Sequence, residues 1–493
     1  MSTLPPPVIQ VTPTRAIATS TLWQVLSQCV MAVLSIVTVK CVAISLSQEL
    51  VGNYNSAYGF LQLFGILADF GLYAVAVREV SRATDRPRIL GALFMLRCII
   101  LMLSLGTALL FVWFLPLWRG TPFPLSVTIA SLVPFFTLLA GVLRTTFQVH
   151  YRMHYVFIVE VTQRIITTGL IALFVIFGFR GSNDLRILFI MLGIGGFGAL
   201  ILFLLSVFFS KNLMTVRLSL DWKLMGTMLR RAAPFGLAYL CIAFSRQFDI
   251  TMIALLRDDF QIQNAYYGFV VRMSDMGFVL PTYLLNSVLP TLSERDAKGE
   301  NTGELLGKTF FTVMLIGSTT CLFALLWARP ITALLTTDAY LSTAISPGSD
   351  SAFQLLSIPL LLNGMILLAF YMLLNRHSWR KLIVILLFCA LLSLSLNLTL
   401  IPKYGFLGAA WTSIVVHSAL AAFLFPLALR EMRITLTWNK VRKWALYTVG
   451  VGGGLWLLKP FMVNEIATVI GMIVVTALIV STGWGLRIHQ ELL

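Results

Sequence analysis

Charge is what this chain has least of. Only 11% of its 493 residues are Asp, Glu, Lys or Arg, against about 25% in a typical soluble domain. Acidic residues are the scarcer kind, 20 against 36 basic, and there are 5 histidines. A water-soluble globule is thereby excluded. With 58% hydrophobic residues and a mean hydropathy of +0.89, the composition is that of an all-α polytopic membrane protein. Motifs for covalent chemistry are also missing: there is no Walker A sequence, no Gly-x-Ser-x-Gly and no His-Glu-x-x-His. No catalytic residue, metal site or cofactor is therefore assigned. Cys29, Cys41, Cys98, Cys241, Cys321 and Cys389 lie singly inside apolar runs, where they read as small packing residues. Residues 1–19, with Pro5, Pro6, Pro7 and Pro13, lack the features of a cleavable signal and are expected to be a disordered cytoplasmic N-terminus.

What the chain does have is apolar runs of bilayer length. They fall near 20–44, 54–77, 91–115, 125–143, 157–178, 187–209, 235–256, 267–289, 309–328, 351–374, 382–401, 409–429, 444–458 and 465–485, fourteen in all. With the N-terminus inside, 24 of the 36 Lys and Arg fall in cytoplasmic segments and 7 in the opposite loops. That bias orients both termini toward the cytoplasm and explains the net charge of +16 as a topology signal, not as a surface for nucleic acid. Between the sixth and seventh runs, Leu218, Leu220, Leu224 and Leu229 interleave with Arg217, Lys223, Arg230 and Arg231, the pattern of an amphipathic segment on the inner surface.

Ionised residues inside the runs are the functional candidates, because each costs at least about 2.5–3.5 kcal/mol at the bilayer centre. Arg246 with Asp249, and Arg272 with Asp275, sit in two consecutive runs. A hairpin turning near Asp258 sets Arg246 level with Asp275 and Asp249 level with Arg272, so two crosswise ion pairs are expected. Asp69 and Arg97 are likewise level and form a structural pair or line a cavity. Glu160 and Arg164 are spaced i, i+4, for which a salt bridge within the helix is the simpler reading. Lys40 reaches the headgroups. The second run carries Tyr54, Tyr58, Gln62, Gly65, Asp69 and Tyr73 on one face, the first carries Gln24, Gln28 and Ser35, and the eighth carries Arg272, Asp275, Tyr283 and Asn286. Pro281 is expected to interrupt the eighth. The glycine patch Gly193 to Gly198 reads as close helix packing, and His417 as a satisfied buried residue.

Leu50-Val51-Gly52-Asn53-Tyr54, then Ala68-Asp69-Phe70-Gly71-Leu72 and Arg78-Glu79, resemble the opening of the polysaccharide, or lipid-linked oligosaccharide, flippases (O-antigen flippase type). This family shares a superfamily with the multidrug extrusion transporters and the lipid II flippases. Phe248-Asp249-Ile250, Tyr266-Tyr267-Gly268-Phe269, Leu289-Pro290-Thr291-Leu292-Ser293 and Asn397 to Ala410 continue the resemblance in order, over residues 15 to 430. It implies two six-helix bundles with pseudo-two-fold symmetry, residues 20–213 and 234–430, joined by the linker 214–233 and followed by an extra helix pair and tail, 431–493. It also implies a central cavity and transport by rocking of the bundles.

On this reading Arg246, Arg272, Arg97 and Arg164 line a cationic cavity for a polyprenyl pyrophosphate, since guanidinium matches phosphate geometry. Tyr58, Gln62, Tyr283 and Asn286 meet the sugars. Asp69, Asp249, Asp275 and Glu160 orient the arginines, or one of the aspartates binds a coupling proton or sodium ion; the alternative is that all of these charges are internal bridges. The implied partners are the lipid-linked oligosaccharide, the bilayer of the cytoplasmic (inner) membrane, and a polysaccharide polymerase or glycosyltransferase. Two other functions stay open: a cation-coupled drug antiporter of the same superfamily, and a membrane-embedded saccharide polymerase or ligase. The second needs a large catalytic outer loop, and the longest here, about Arg329 to Asp350, contains no histidine.

Overall fold

A computed structural model describes residues 13–69, 72, 85–150, 152–211, 213, 217, 219–376 and 378–488. Of the features expected above, residues 1–12, Phe70, Gly71, Tyr73, Arg78, Glu79, Leu218 and the side chains of Gln24, Cys29 and Arg246 lie outside the described residues, while residues 13–19, expected to be disordered, are the start of the first helix. Among the described residues there is no strand, only one isolated bridge between Leu46 and Ser182.

The long helices stand where the apolar runs predict them. In order they are α1 (Pro13–Ser45), α2 (Gln48–Asp69), α3 (Arg86–Phe114), α4 (Phe123–Val149), α5 (Met153–Ile176), α6 (Leu185–Lys211), α7 (Trp222–Leu256) and α8 (Phe260–Ala297). Then come α9 (Gly303–Leu326), α10 (Ser349–Asn375), α11 (Trp379–Tyr404), α12 (Phe406–Glu431), α13 (Trp438–Leu458) and α14 (Glu465–Gly485). Ten of these are long and apolar enough to cross a membrane by themselves, eleven if the bent α7 is counted as one span. The other three, α2, α8 and α13, carry polar stripes or, in α13, the basic start Lys440, Arg442 and Lys443. A polytopic membrane protein with room for fourteen spans results.

Packing repeats with an interval of six helices. In the first half α1 packs on α5, α4 on α6 and α5 on α6; in the second, α7 packs on α11, α10 on α12 and α11 on α12. These are the two pseudo-symmetric bundles. The extra pair joins the second: α13 lies on α9, where Trp444 Nε1 donates to Ser318 Oγ at 2.7 Å, and Trp327 Nε1 donates to the Leu455 carbonyl at 2.8 Å.

Helix starts follow local chemistry. Asp85 caps α3, accepting from the Arg88 amide at 3.3 Å with Pro87 in the first turn, and Asp221 caps α7, accepting from the Leu224 amide at 3.0 Å. Arg88 also donates to Asp221 at 2.7 Å, which ties the linker to the first bundle. From Trp222 the amphipathic segment runs continuously into α7.

One expectation about helix shape is corrected. Pro281 does not interrupt α8, which continues from Phe260 to Ala297. One residue past the carbonyl that the proline leaves without a donor, the Phe278 carbonyl accepts from Thr282 Oγ1 at 3.1 Å and from Asn363 Nδ2 of α10 at 3.3 Å, which ties this part of α8 to its neighbour. The sharp bend is in α7, by 55° between Gly236–Phe244 and Gln247–Leu256.

The bundles meet chiefly through α2, which packs against both α7 and α8. Near the start of α2, a Cβ on Gly52 would lie 1.5 Å from the Gln261 carbonyl oxygen, so only glycine permits this approach. Asn55 Nδ2 donates to the Asn264 carbonyl at 3.1 Å, Asn264 Nδ2 donates to Ser56 Oγ at 2.9 Å, and Trp118 Nε1 donates to the Ala254 carbonyl at 3.1 Å. One end of the molecule is therefore sealed between the halves.

Candidate functional site

Beyond that seal the halves part around a cavity of about 680 Å³. Its wall draws on α1 (Gln28, Ser35), α2 (Tyr54, Tyr58), α5 (Gln163, Arg164) and α8 (Arg272, Asp275, Tyr283). The polar faces read from three separate helices thus converge on one space. Gly195 of α6 helps shape it, because a Cβ there would stand 2.4 Å from the Tyr58 hydroxyl.

The two arginines are held without carboxylates. Arg272 lies over the tyrosine rings, its Cζ 5.2 Å from the Tyr54 centroid and 5.8 Å from that of Tyr58. Ring quadrupoles thus stabilise that cation. Arg164 Nη2 donates to Ser35 Oγ of α1, and its Nε has no partner. Neither guanidinium forms a salt bridge among the described residues.

This departs from the expected pairings. Glu160 does not pair with Arg164, four residues on; it accepts from Arg144 Nη1 of α4 and from Ser27 Oγ of α1, each at 2.8 Å. Asp249 does not pair with Arg272. It is 2% exposed and accepts from Tyr267 Oη of α8 and Asn397 Nδ2 of α11, both at 2.8 Å. Among the described residues no Lys or Arg reaches it. Beside it the Asn397 Oδ1 is buried with no partner among the described residues. Tyr267 and Asn397 stand within stretches already singled out, yet sequence alone gave neither a role, and Arg144 was passed over near the end of its run.

Other predicted residues fall elsewhere. Arg97 is 2% exposed and pins α3 to α2, donating to Asp69 at 2.5 Å and to the Ala68 carbonyl at 2.8 Å, so it is not on the cavity wall. Asn286 is also off the wall and accepts from Tyr371 Oη at 2.6 Å. Arg246 sits at the α7 bend, its side chain outside the described residues. Lys40, expected at the headgroups, is bound within the protein: Nζ donates to Glu465 of α14 and to the Leu334 carbonyl, both at 2.6 Å. Gln62 and Asp69 line a second chamber of about 360 Å³, which shares Tyr58 and Val133 with the first.

Among solved structures the fold is similar to a lipid II flippase, MurJ, in its inward closed conformation, at 13% identity and a TM-score of 0.69, covering 94% of this chain and 98% of the flippase. It is also similar to an inward-facing multidrug resistance MATE family transporter of the MOP superfamily, at 13% identity and TM-score 0.62, covering 81% of this chain and 94% of that one. A third is a MOP superfamily transporter from Pyrococcus furiosus described as having a binding pocket of reverse polarity, at 16% identity and TM-score 0.57, with 85% and 96% covered. At these identities the likeness is one of fold. No curated protein matches the chain. Residues 17–296, more than half of the chain and all of the arginine-lined cavity, match the polysaccharide biosynthesis protein family, and the chain belongs to that family.

Proposed function

We propose that this protein is a flippase that carries a polyprenyl-pyrophosphate-linked oligosaccharide across the cytoplasmic membrane by alternating access, for the synthesis of surface polysaccharide. One observation carries the reading: Arg164 and Arg272 face one cavity between the bundles, and among the described residues no carboxylate binds either. Burying unpaired cations is costly, and a pyrophosphate entering between them supplies the missing charge through charge-assisted hydrogen bonds. Tyr58 and Tyr283 then offer hydroxyls to the headgroup. No covalent step is needed, and the absence of a nucleotide motif leaves the energy to an ion gradient.

Asp249 is the residue proposed to bind the coupling ion. Two neutral donors hold it and no Lys or Arg among the described residues reaches it, so a proton or a sodium ion, with Asn397 Oδ1 as a further oxygen at hand for the latter, would balance its charge. The basic bias of the loops supports an inner-membrane location with both termini cytoplasmic, and a polymerase or glycosyltransferase at the inner face fits the same role.

The second reading, a drug antiporter for cations, is favoured by Asp275, the one carboxylate on the cavity wall against two arginines. The test is flipping in proteoliposomes of a fluorescent polyprenyl pyrophosphate bearing one sugar, for wild type and for Arg164→Ala/Arg272→Ala. Loss of flipping in the variant supports the proposal. Full activity in the variant, or transport of a lipophilic cation in place of the lipid, overturns it.

A further inference from the structure

The smaller chamber has a composition unlike that of its neighbour. Tyr58, Gln62, Gly65 and Asp69 of α2 face it in sequence, Thr137 of α4 stands opposite, and among the described residues no arginine lines it. Gln62 is exposed, and its side-chain amide has no protein partner among the described residues. Asp69 gives one oxygen to Arg97, and its other oxygen has no protein partner among the described residues. Thr137 donates its hydroxyl to the Val133 carbonyl at 2.7 Å, which leaves its oxygen as an acceptor. The groups on offer are an amide with two donors and an acceptor, a carboxylate oxygen and a hydroxyl oxygen. Such a set, part donor and part acceptor, suits ligand hydroxyls, and its carboxylate repels a phosphate.

The two chambers are also ordered. Tyr58 and Val133 belong to both walls, and Arg272 lies against the Tyr58 ring. From Tyr58 to Gln62 the rise along α2 is about 6 Å, and to Asp69 about 16 Å. A ligand with its anion at Arg272 and Arg164 would place whatever follows the anion along this face. At about 360 Å³ the chamber is within the size range of small-molecule sites.

We infer that the chamber lined by Gln62, Asp69 and Thr137 is a saccharide subsite, reading the neutral, hydroxyl-rich sugar attached to the pyrophosphate, while the arginine chamber holds the pyrophosphate alone. This rests on the function proposed above, but it separates affinity for the anion from recognition of the sugar. Gln62 and Thr137 are its specificity-determining residues; Asp69 is both contact and anchor because it also fixes Arg97.

The test measures binding of the purified full chain in lipid nanodiscs to two kinds of probe: a bare polyprenyl pyrophosphate, and a panel of the same lipid carrying a single hexose, N-acetylhexosamine or deoxyhexose. Wild type is expected to bind at least one sugar-bearing lipid about ten-fold more tightly than the bare lipid, the effect of one or two hydrogen bonds. Gln62→Leu/Thr137→Val should lose that gain and keep its affinity for the bare lipid, which also certifies its fold. Arg272→Ala should weaken every probe alike. The inference is overturned if no sugar improves wild-type binding, or if the double variant keeps the gain. If Arg272→Ala leaves bare-lipid binding unchanged, the proposed function falls as well, so the two failures are distinct.

Discussion

Glu160 Oε1 lies 2.8 Å from Arg144 Nη1, a contact from α5 to α4 that leaves Arg164, one turn along the same helix, without a carboxylate. The cavity owes part of its positive character to a bridge outside its own wall. Had Glu160 bound Arg164, the i, i+4 spacing would have been satisfied locally and one of the two cations cancelled.

Arg144→Ala therefore tests the cavity's charge without touching its lining. Freed of Arg144, Glu160 is expected to turn to Arg164 and weaken bare pyrophosphate-lipid binding by roughly ten-fold, the scale of one charge-assisted contact. Adding Glu160→Gln should restore binding. A binding titration of the single and double variants checks both outcomes.

Tyr54 holds Arg272 by its ring face and not by its hydroxyl. Tyr54→Phe should leave pyrophosphate-lipid affinity close to wild type, whereas Tyr54→Leu should cost about 0.5–2 kcal/mol. Equal losses in the two variants would show that the hydroxyl carries the effect.

Asp249→Asn removes a charge that no Lys or Arg among the described residues compensates, so thermal stability should hold or rise slightly. Substrate binding should persist because Asp249 is off the cavity wall. Gradient-driven flipping should fall to the level seen without a gradient. Running proteoliposomes with a proton gradient alone and with a sodium gradient alone identifies the ion.

Gly52→Val drives a side chain into the Gln261 carbonyl where α2 meets α8. The two halves cannot then seal at that end without about 1–3 kcal/mol or more of overpacking strain. A lower unfolding temperature is expected, together with greater labelling of a cysteine placed at Asn55. Unchanged labelling would mean that the seal yields elsewhere.

Much of the architecture was legible without coordinates. Bilayer-length apolar runs fix the helices, because hydrophobic length is a property of each segment alone. Helical periodicity likewise put Tyr54, Tyr58 and Gln62 on one face of α2 and Arg272, Asp275 and Tyr283 on one face of α8, and the level pairing of Asp69 with Arg97 is present at 2.5 Å. The identity of each remaining charge's partner was not legible. Asp249 turns to Asn397, 148 residues away, and Lys40 to Glu465, 425 residues away. Glu160 prefers Arg144 over the nearer Arg164.

The sequence by itself determined where the long helices lie, which of their faces are polar and which ionised residues they carry, since these follow from the apolar length and periodicity of each segment. Only the tertiary structure decided which arginines stay uncompensated and thus where an anion is wanted. Transfer energy belongs to one helix at a time, whereas a guanidinium is neutralised by whichever carboxylate the packing of several helices brings within about 4 Å.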